Sequence, residues 1–242
     1  MGEFKESSWN NEEFSKNYLE KADIYIVERR KMLGMISAFY MHFFKNRQEV
    51  CVLDLGCGDG VLTEELLQID NSITATLVDG SLAMLKGAQE RLKAYQNVRF
   101  MEATFQEILH GDMGLGIFDL CVSSLAIHHL TMENKALLFR YLFNHLISGG
   151  FFFNMDVVLA PSEEIEGWYC ALWKRWMRNM LDQFGVHDEN PDDIINRYKD
   201  LASMNNPDTL EAQLTALKET GFQDVDCYYK NGIFTVFGGR KV

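Results

Sequence analysis

The segment Val52-Leu53-Asp54-Leu55-Gly56-Cys57-Gly58-Asp59-Gly60 decides the fold. It completes a short apolar run, Glu49–Leu55, of the kind that forms a strand buried on both faces. It then passes through glycines into Val61–Ile69, whose apolar spacing predicts a helix. Glycines between a strand and a helix let backbone approach a ligand at the strand's carboxyl end.

The same alternation continues outward. Ser72–Val78, Asn97–Met101, Ile117–Ser123 and Phe151–Val158 read as further strands. Ser81 is placed to cap a helix with Leu82, Leu85 and Leu92 on one face, and Asn134–Ile147 carries apolar residues at helical spacing. Gly149 and Gly150 are expected to turn the chain into Phe151. Strand–helix alternation of this kind requires right-handed crossovers and a mostly parallel sheet covered on both faces. From Pro161 to about Asn206 the pattern is helical and rich in Trp, Tyr and Met. Thr209–Thr220 predicts a helix stopped by Gly221. Phe222–Tyr229 and Ile233–Gly238, joined across Lys230-Asn231-Gly232, predict a terminal hairpin, since Asn-Gly is a strong turn signal. The expected fold class is α/β, a Rossmann-like doubly wound sheet with N-terminal and inserted helices. Residues 1–48 are expected to form N-terminal lid helices, and 49–242 a ligand-binding domain with a helical insertion at about 161–206.

At 242 residues the chain suits one α/β domain with such an insertion. With 47% hydrophobic residues, 24% charged residues and three prolines, it falls outside the disordered, collagenous and low-complexity classes. A formal net charge of −12 opposes wrapping a phosphate backbone, so nucleic acid is not the expected partner. The five cysteines are odd in number and form no CxxC pair, which argues against a disulfide framework and against a zinc site; no metal is expected. The first twenty residues are polar and acidic, unlike a signal peptide. The longest apolar stretch, Met32–Phe44, is too short to span a bilayer and is expected to dock on the sheet. These features point to a cytoplasmic protein with no membrane partner.

The glycine loop must be assigned among competing ligands. A dinucleotide loop needs its third glycine at position 61, which is Val61. No Gly-Lys-Ser/Thr follows, so a Walker loop is excluded. Asp54, two residues before Gly56, is expected to point a carboxylate toward the ligand, where it would repel a pyrophosphate and stabilise ammonium and sulfonium cations. S-adenosyl-L-methionine (SAM) carries both. Asp79, nineteen residues beyond Gly60 at the end of the second strand, is placed to accept both hydroxyls of a ribose.

The stretch Asp54–Gly60 resembles the first motif of the class I SAM-dependent methyltransferases. Val78-Asp79-Gly80-Ser81-Leu82-Ala83-Met84-Leu85 resembles their second motif, and Phe118–Leu130 the fourth-strand motif of their small-molecule and quinone-type members. Leu146–Phe151 resembles the usual entry to strand five. The resemblance spans roughly 14–242 and is nearest to a branch of uncharacterised bacterial and archaeal methyltransferases. That branch is similar to the carboxy-SAM synthase of tRNA wobble-uridine modification. Tyr25, Arg29-Arg30-Lys31, Tyr228-Tyr229-Lys230 and Phe237–Lys241 carry that part of the likeness.

The resemblance implies a seven-stranded sheet whose last strand is antiparallel. It implies that Gly56, Cys57 and Gly58 line the methionine and ribose portion of SAM, and that Asp79, with Gly80 beside it, holds the ribose. Thr104 and Phe105 would sit at the adenine edge; Thr104 departs from the acid the family commonly has there. Ser124 would lie beside the methionine part. Tyr25, Arg29 and Arg30 would close over the cofactor, one arginine clamping its carboxylate with a planar fork.

His128 and His129 follow strand four, near the expected place of a methyl acceptor. Of the two, His128 is the candidate base, set against a purely structural packing role. The Trp168, Tyr169, Trp173, Trp176, Met177 and Met180 cluster has helical spacing, which suits core packing and equally a lid over an apolar acceptor pocket. The expected activity is methyl transfer from SAM to a small-molecule acceptor. The alternatives are a carboxy-SAM synthase, with Arg197 a candidate cation for the extra carboxylate, and a non-catalytic SAM-binding module. The acceptor and the oligomeric state are not legible in the sequence.

Overall fold

Cys51–Leu55 forms β1, at the centre of a seven-stranded sheet. The computed structural model describes residue 9 and residues 11–111, 113–200 and 206–242. The other strands are β2 (Thr74–Asp79), β3 (Val98–Glu102), β4 (Phe118–Ser124), β5 (Leu146–Val157), β6 (Gln223–Asn231) and β7 (Phe234–Arg240). Their order is β3-β2-β1-β4-β5-β7-β6. The pairings from β3 across to β5 are parallel, and β7 runs antiparallel to both its neighbours. Strand order reverses between β1 and β4, and a parallel sheet leaves a crevice at such a switch point, beyond the strands' carboxyl ends.

The pleat sorts the side chains. Val52, Leu120, Val122, Phe151 and Phe153 face one side, packed against α3 (Arg29–Phe43), α4 (Val61–Ile69) and α5 (Leu82–Arg91). Leu53, Leu55, Cys121 and Phe152 face the other, packed against α6 (Phe105–His110), α7 (Met132–His145) and α10 (Leu210–Thr220). Both faces being covered explains why the central strands lack the apolar–polar alternation of a half-exposed sheet. The apolar stretch Met32–Phe44 docks as expected: Met32, Leu33, Ile36 and Tyr40 of α3 are buried, and the Tyr40 hydroxyl donates to Asp70 at 2.7 Å.

Two local readings change. Gly149-Gly150 do not turn the chain into β5; the strand already begins at Leu146. Gly149, at φ +83°, sits in an irregularity of the ladder, where its N–H donates to Lys241 O and Gly150 O accepts from Lys241 N. Leu82 does not join the buried face of α5; it is exposed, while Met84, Leu85 and Ala88 are buried.

The predicted helical stretch 161–206 forms α8 (Glu163–Phe184) and α9 (Pro191–Asp200). Its residues 201–205 lie outside the described residues, as do 1–8 and 10 of the predicted N-terminal segment. The described part of that segment holds α1 (Glu12–Glu20) and α2 (Ala22–Tyr25). These helices meet α8 above the carboxyl edge of the sheet. Trp173 Nε1 donates to Tyr25 O at 2.7 Å and Trp176 Nε1 to Ile24 O at 3.1 Å. Lys21 pairs with Glu189 ahead of α9. Among the described residues no helix is long and apolar enough to cross a membrane.

Candidate active site

The loop after β1 is built by its glycines. Gly56 has φ +68°, and a Cβ on it would lie 2.3 Å from Ala126 Cβ, so only glycine fits. Gly58, at φ +55°, faces open space, so its backbone is presented bare to a cavity of about 430 Å³. The loop is locked from behind. Arg91 donates to Asp59 O at 2.9 Å and pairs with the Asp59 carboxylate. Asp79, at the end of β2, accepts from Gly58 N at 2.9 Å and from Ser81 N at 2.8 Å. Burial raises the Asp79 carboxyl above its ordinary range against those two hydrogen bonds.

Gly56, Cys57, Gly58, Asp79 and Gly80 line one side of the cavity. Ala103, Thr104, Phe105 and Ile108 form its far wall, and Ser124 lies near the crossing of β4. Trp9, Tyr18, Ile26 and Arg29 cover it from the N-terminal segment. Trp9 is held there by its rings and carbonyl: Trp9 O accepts from Ser15 Oγ and Ser81 Oγ, and its indole packs edge-on to Tyr18 at 4.9 Å. Burial pushes the Tyr18 hydroxyl up to about 12. The Arg29 guanidinium is 9% exposed and donates to Asp23 at 2.8 Å.

Some expected contacts are not made. Asp54 does not point into the cavity. Its carboxylate is fully buried behind the loop, where Oδ2 accepts from the Thr63 hydroxyl at 2.6 Å and Oδ1 has no hydrogen-bond partner. Burial pushes it up to about 7, opposed by Thr63 and aided by the Asp79 charge. Arg30 lies outside, on the surface, paired with Asp23 and Glu65, because consecutive helix residues point about 100° apart and Arg29 takes the inward direction. Tyr25 faces a second cavity instead of the first. Thr104 lines the first cavity, yet its hydroxyl serves α6: it accepts from Glu107 N at 3.2 Å while Glu107 Oε2 accepts from Thr104 N at 2.8 Å, a capping box. The Cys57 thiol is buried and pushed well up by that burial, so it stays protonated.

The second cavity, of about 460 Å³, adjoins the first; Trp9, Tyr18, Ile26, Leu125 and His129 line both. Leu125 adopts a left-handed backbone, φ +52°, between them. A conformation costing about 1–2 kcal/mol for an L residue is retained where it turns the chain from β4 into the site. His128 lines the second cavity only. Its Nδ1 lies 2.6 Å from Asp156 Oδ1, and its backbone N–H donates to Asp156 Oδ2 at 3.0 Å. Asn154 Nδ2 and Val157 N also donate to Asp156. Burial alone would raise the Asp156 carboxyl, but the His128 charge and these hydrogen bonds outweigh it and hold it low. Below the turn, the fully buried Lys135 pairs with Asp208 and Asn206 O, and Asn206 N donates to His128 O at 2.7 Å. Asp156, Asn154, Lys135 and Asn206 were not singled out from the sequence. The signal for the first two was there: Asn154 and Asp156 interrupt the otherwise apolar run Phe151–Val158.

The donor set of the first cavity suits SAM. It offers a carboxylate at a strand end for ribose hydroxyls and bare glycine backbone for close approach. A buried guanidinium suits the amino-acid carboxylate, and apolar walls suit an adenine ring. These residues fit the cofactor. Among the described residues no group of His, Cys, Asp or Glu is arranged to hold a metal ion.

Switch-point loop and sheet order together define the fold seen in class I SAM-dependent methyltransferases. The comparisons bear this out. A family model described as a methyltransferase domain matches residues 52–150. Carboxy-S-adenosyl-L-methionine synthase of Helicobacter pylori (strain J99) is 25% identical over 200 residues, covering 82% of this chain and 77% of that one. An uncharacterised methyltransferase of Mycobacterium tuberculosis (strain CDC 1551) is 30% identical over 123 residues, 51% of this chain and 58% of that one. Among solved structures, magnesium protoporphyrin IX methyltransferase of Synechocystis with bound S-adenosylhomocysteine superposes with a TM-score of 0.65 at 14% identity. It covers 97% of this chain and 96% of that one. An O-methyltransferase family protein from Burkholderia thailandensis gives 0.66 at 12% identity, and the chain spans 62% of its length. A methyltransferase domain thus spans residues 52–150, on a fold shared with class I SAM-dependent methyltransferases, whose cofactor is SAM.

Proposed function

We propose that this protein transfers a methyl group from SAM to a small-molecule acceptor seated in the second cavity. The observation that carries this reading is the adjacency of the two cavities, one fitting SAM and the other holding a histidine on a buried carboxylate. When bound, SAM supplies an electrophilic methyl group whose bond to sulfur breaks with the electron pair staying on sulfur. The chain's residues do the rest. Asp79 accepts from the ribose, with Gly80 beside it, and Gly56, Cys57 and Gly58 admit the methionine and ribose portion. Arg29 pairs with the cofactor's carboxylate, and Thr104, Phe105 and Ser124 complete the wall. Asp54, sealed behind the loop, acts through the loop's position and charge, and neither Tyr25 nor Arg30 touches the cofactor.

His128 acts as general base. Nδ1–H is donated to Asp156, which leaves Nε2 as the acceptor, and Nε2 takes the proton of the acceptor's hydroxyl or amine. The N-terminal helices and the insertion over 161–206 serve as a lid. Most of the rate enhancement then comes from positioning and water exclusion.

Calorimetric titration with S-adenosylhomocysteine on wild type and Asp79→Ala tests the cofactor site. Loss of charge-assisted hydrogen bonds to ribose weakens binding roughly 100-fold. Unchanged affinity overturns the placement.

A second reading, synthesis of carboxy-SAM, is favoured by one observation: Arg197 lines the second cavity, where a cofactor-borne carboxylate would need a cation. The Helicobacter pylori relative's name points the same way. Mass spectrometry of the ligand copurified with the protein separates the two readings.

A further inference from the structure

We infer that the acceptor is an aromatic hydroxy acid: a ring bearing a hydroxyl for His128 and a carboxylate for Arg197. This rests on the methyltransferase reading above and adds the substrate class. The second cavity is walled by aromatic rings from separate elements. Trp9, Phe14 and Tyr18 come from the N-terminal segment, Trp173 and Tyr198 from the insertion, and Phe234 from β7. Trp173 packs edge-on to Tyr198 at 5.4 Å and to Phe234 at 5.4 Å, so rings line the slot. Rings in such a slot favour a ring as guest, since edge and face contacts add to simple burial.

The polar groups of that slot differ in kind. With Nδ1 donating to Asp156, the neutral His128 ring presents Nε2 as an acceptor, and so calls for a proton donor. Arg197, on α9, lines the cavity and is itself exposed; its guanidinium makes no ion pair or hydrogen bond among the described residues, in a chain with twelve more acidic than basic charges. Of the acids around α9, Glu189 pairs with Lys21 and Asp192 with Lys174, while Asp193, one turn before Arg197, is exposed. Glu13 lines the same cavity but is exposed. A planar fork left open at an aromatic slot suits a carboxylate that arrives with the ligand. Hydroxyl and carboxylate at opposite ends of one ring satisfy both groups.

The full chain is saturated with S-adenosylhomocysteine and titrated calorimetrically with a set of hydroxybenzoates, hydroxycinnamates and hydroxynaphthoates, each paired with its neutral carboxamide. The expected result is that at least one acid binds and that its carboxamide binds about fivefold more weakly. Arg197→Gln is expected to remove the difference while S-adenosylhomocysteine affinity holds. If every acid fails, or acids and carboxamides bind alike, the proposal is overturned and the cofactor reading stands. If S-adenosylhomocysteine itself fails to bind, the cofactor reading falls, and the proposal with it. If the copurified cofactor is heavier than SAM by one carboxyl group and Arg197→Gln loses it, the carboxylate at Arg197 belongs to the cofactor and the acceptor proposal is overturned.

Discussion

Asp54 shows how one carboxylate can matter to a site without touching its ligand. It is fully buried and carries one unpartnered oxygen. Its carboxyl is raised by burial from 3.8 to about 7. For an acid the folded value then exceeds the unfolded one, so its stabilising contribution is complete below about pH 4 and is lost as pH rises to about 7. The loss amounts to at most about 4 kcal/mol. Asp54→Asn keeps an oxygen for the Thr63 hydroxyl and removes the charge. Urea unfolding from pH 4.5 to 8 is expected to show wild-type stability declining across that window relative to Asp54→Asn. Parallel curves would mean that the carboxyl ionises there without cost. The sequence placed Asp54 beside the ligand because its position in the motif is fixed; whether a side chain at a strand end faces outward or back under the loop depends on packing against Thr63, which no spacing reveals.

At the scale of the element, the loop and its flanking strand and helix were legible, because glycines, a buried strand and a capped helix each leave a local mark. Gly56 and Gly58 both adopt positive φ, the conformation that favours glycine. Boundaries drifted where tertiary pairing extended an element: β5 took in Leu146–Gly150 because β4 and the chain after β7 pair with it. The second cavity was legible only in outline, as an apolar acceptor pocket under an aromatic lid; its walls come from the N-terminal segment, β5, α8, α9 and β7, and only the fold brings them together. Thr104 lies between these cases. Read from the motif, it departs from an acid at the adenine edge; in the structure it is also the cap of α6. Thr104→Ala is expected to cost about 1 kcal/mol of stability by removing the cap. Thr104→Ser, which keeps the hydroxyl, is expected to restore most of it in the same denaturant titration. Equal losses for Ala and Ser would show that the Thr104 methyl, and not the cap, carries the effect.

At the scale of the whole molecule, the two cavities lie beneath one seam. On one side are α1 and α2; on the other, α8 and α9. Indole N–H groups cross it, Trp173 to Tyr25 O and Trp176 to Ile24 O. Methyl transfer needs water kept from the reacting atoms, and a seam made by side-chain bonds to backbone carbonyls can part without unfolding the sheet. Trp173→Phe keeps an aromatic ring in the slot but leaves the buried Tyr25 carbonyl unpaired, a cost of about 1–3 kcal/mol. That cost falls on the seam alone. Hydrogen exchange is therefore expected to quicken in α2 and α8 of this variant while β1, β4 and β5 keep wild-type protection. Saturating S-adenosylhomocysteine is expected to slow exchange in α1 and α2, because Trp9, Tyr18 and Arg29 cover the first cavity from that side. Faster exchange spread evenly over sheet and helices would mean that the N-terminal helices and the insertion are part of the global folding unit, and that the cavities open only when the whole domain does.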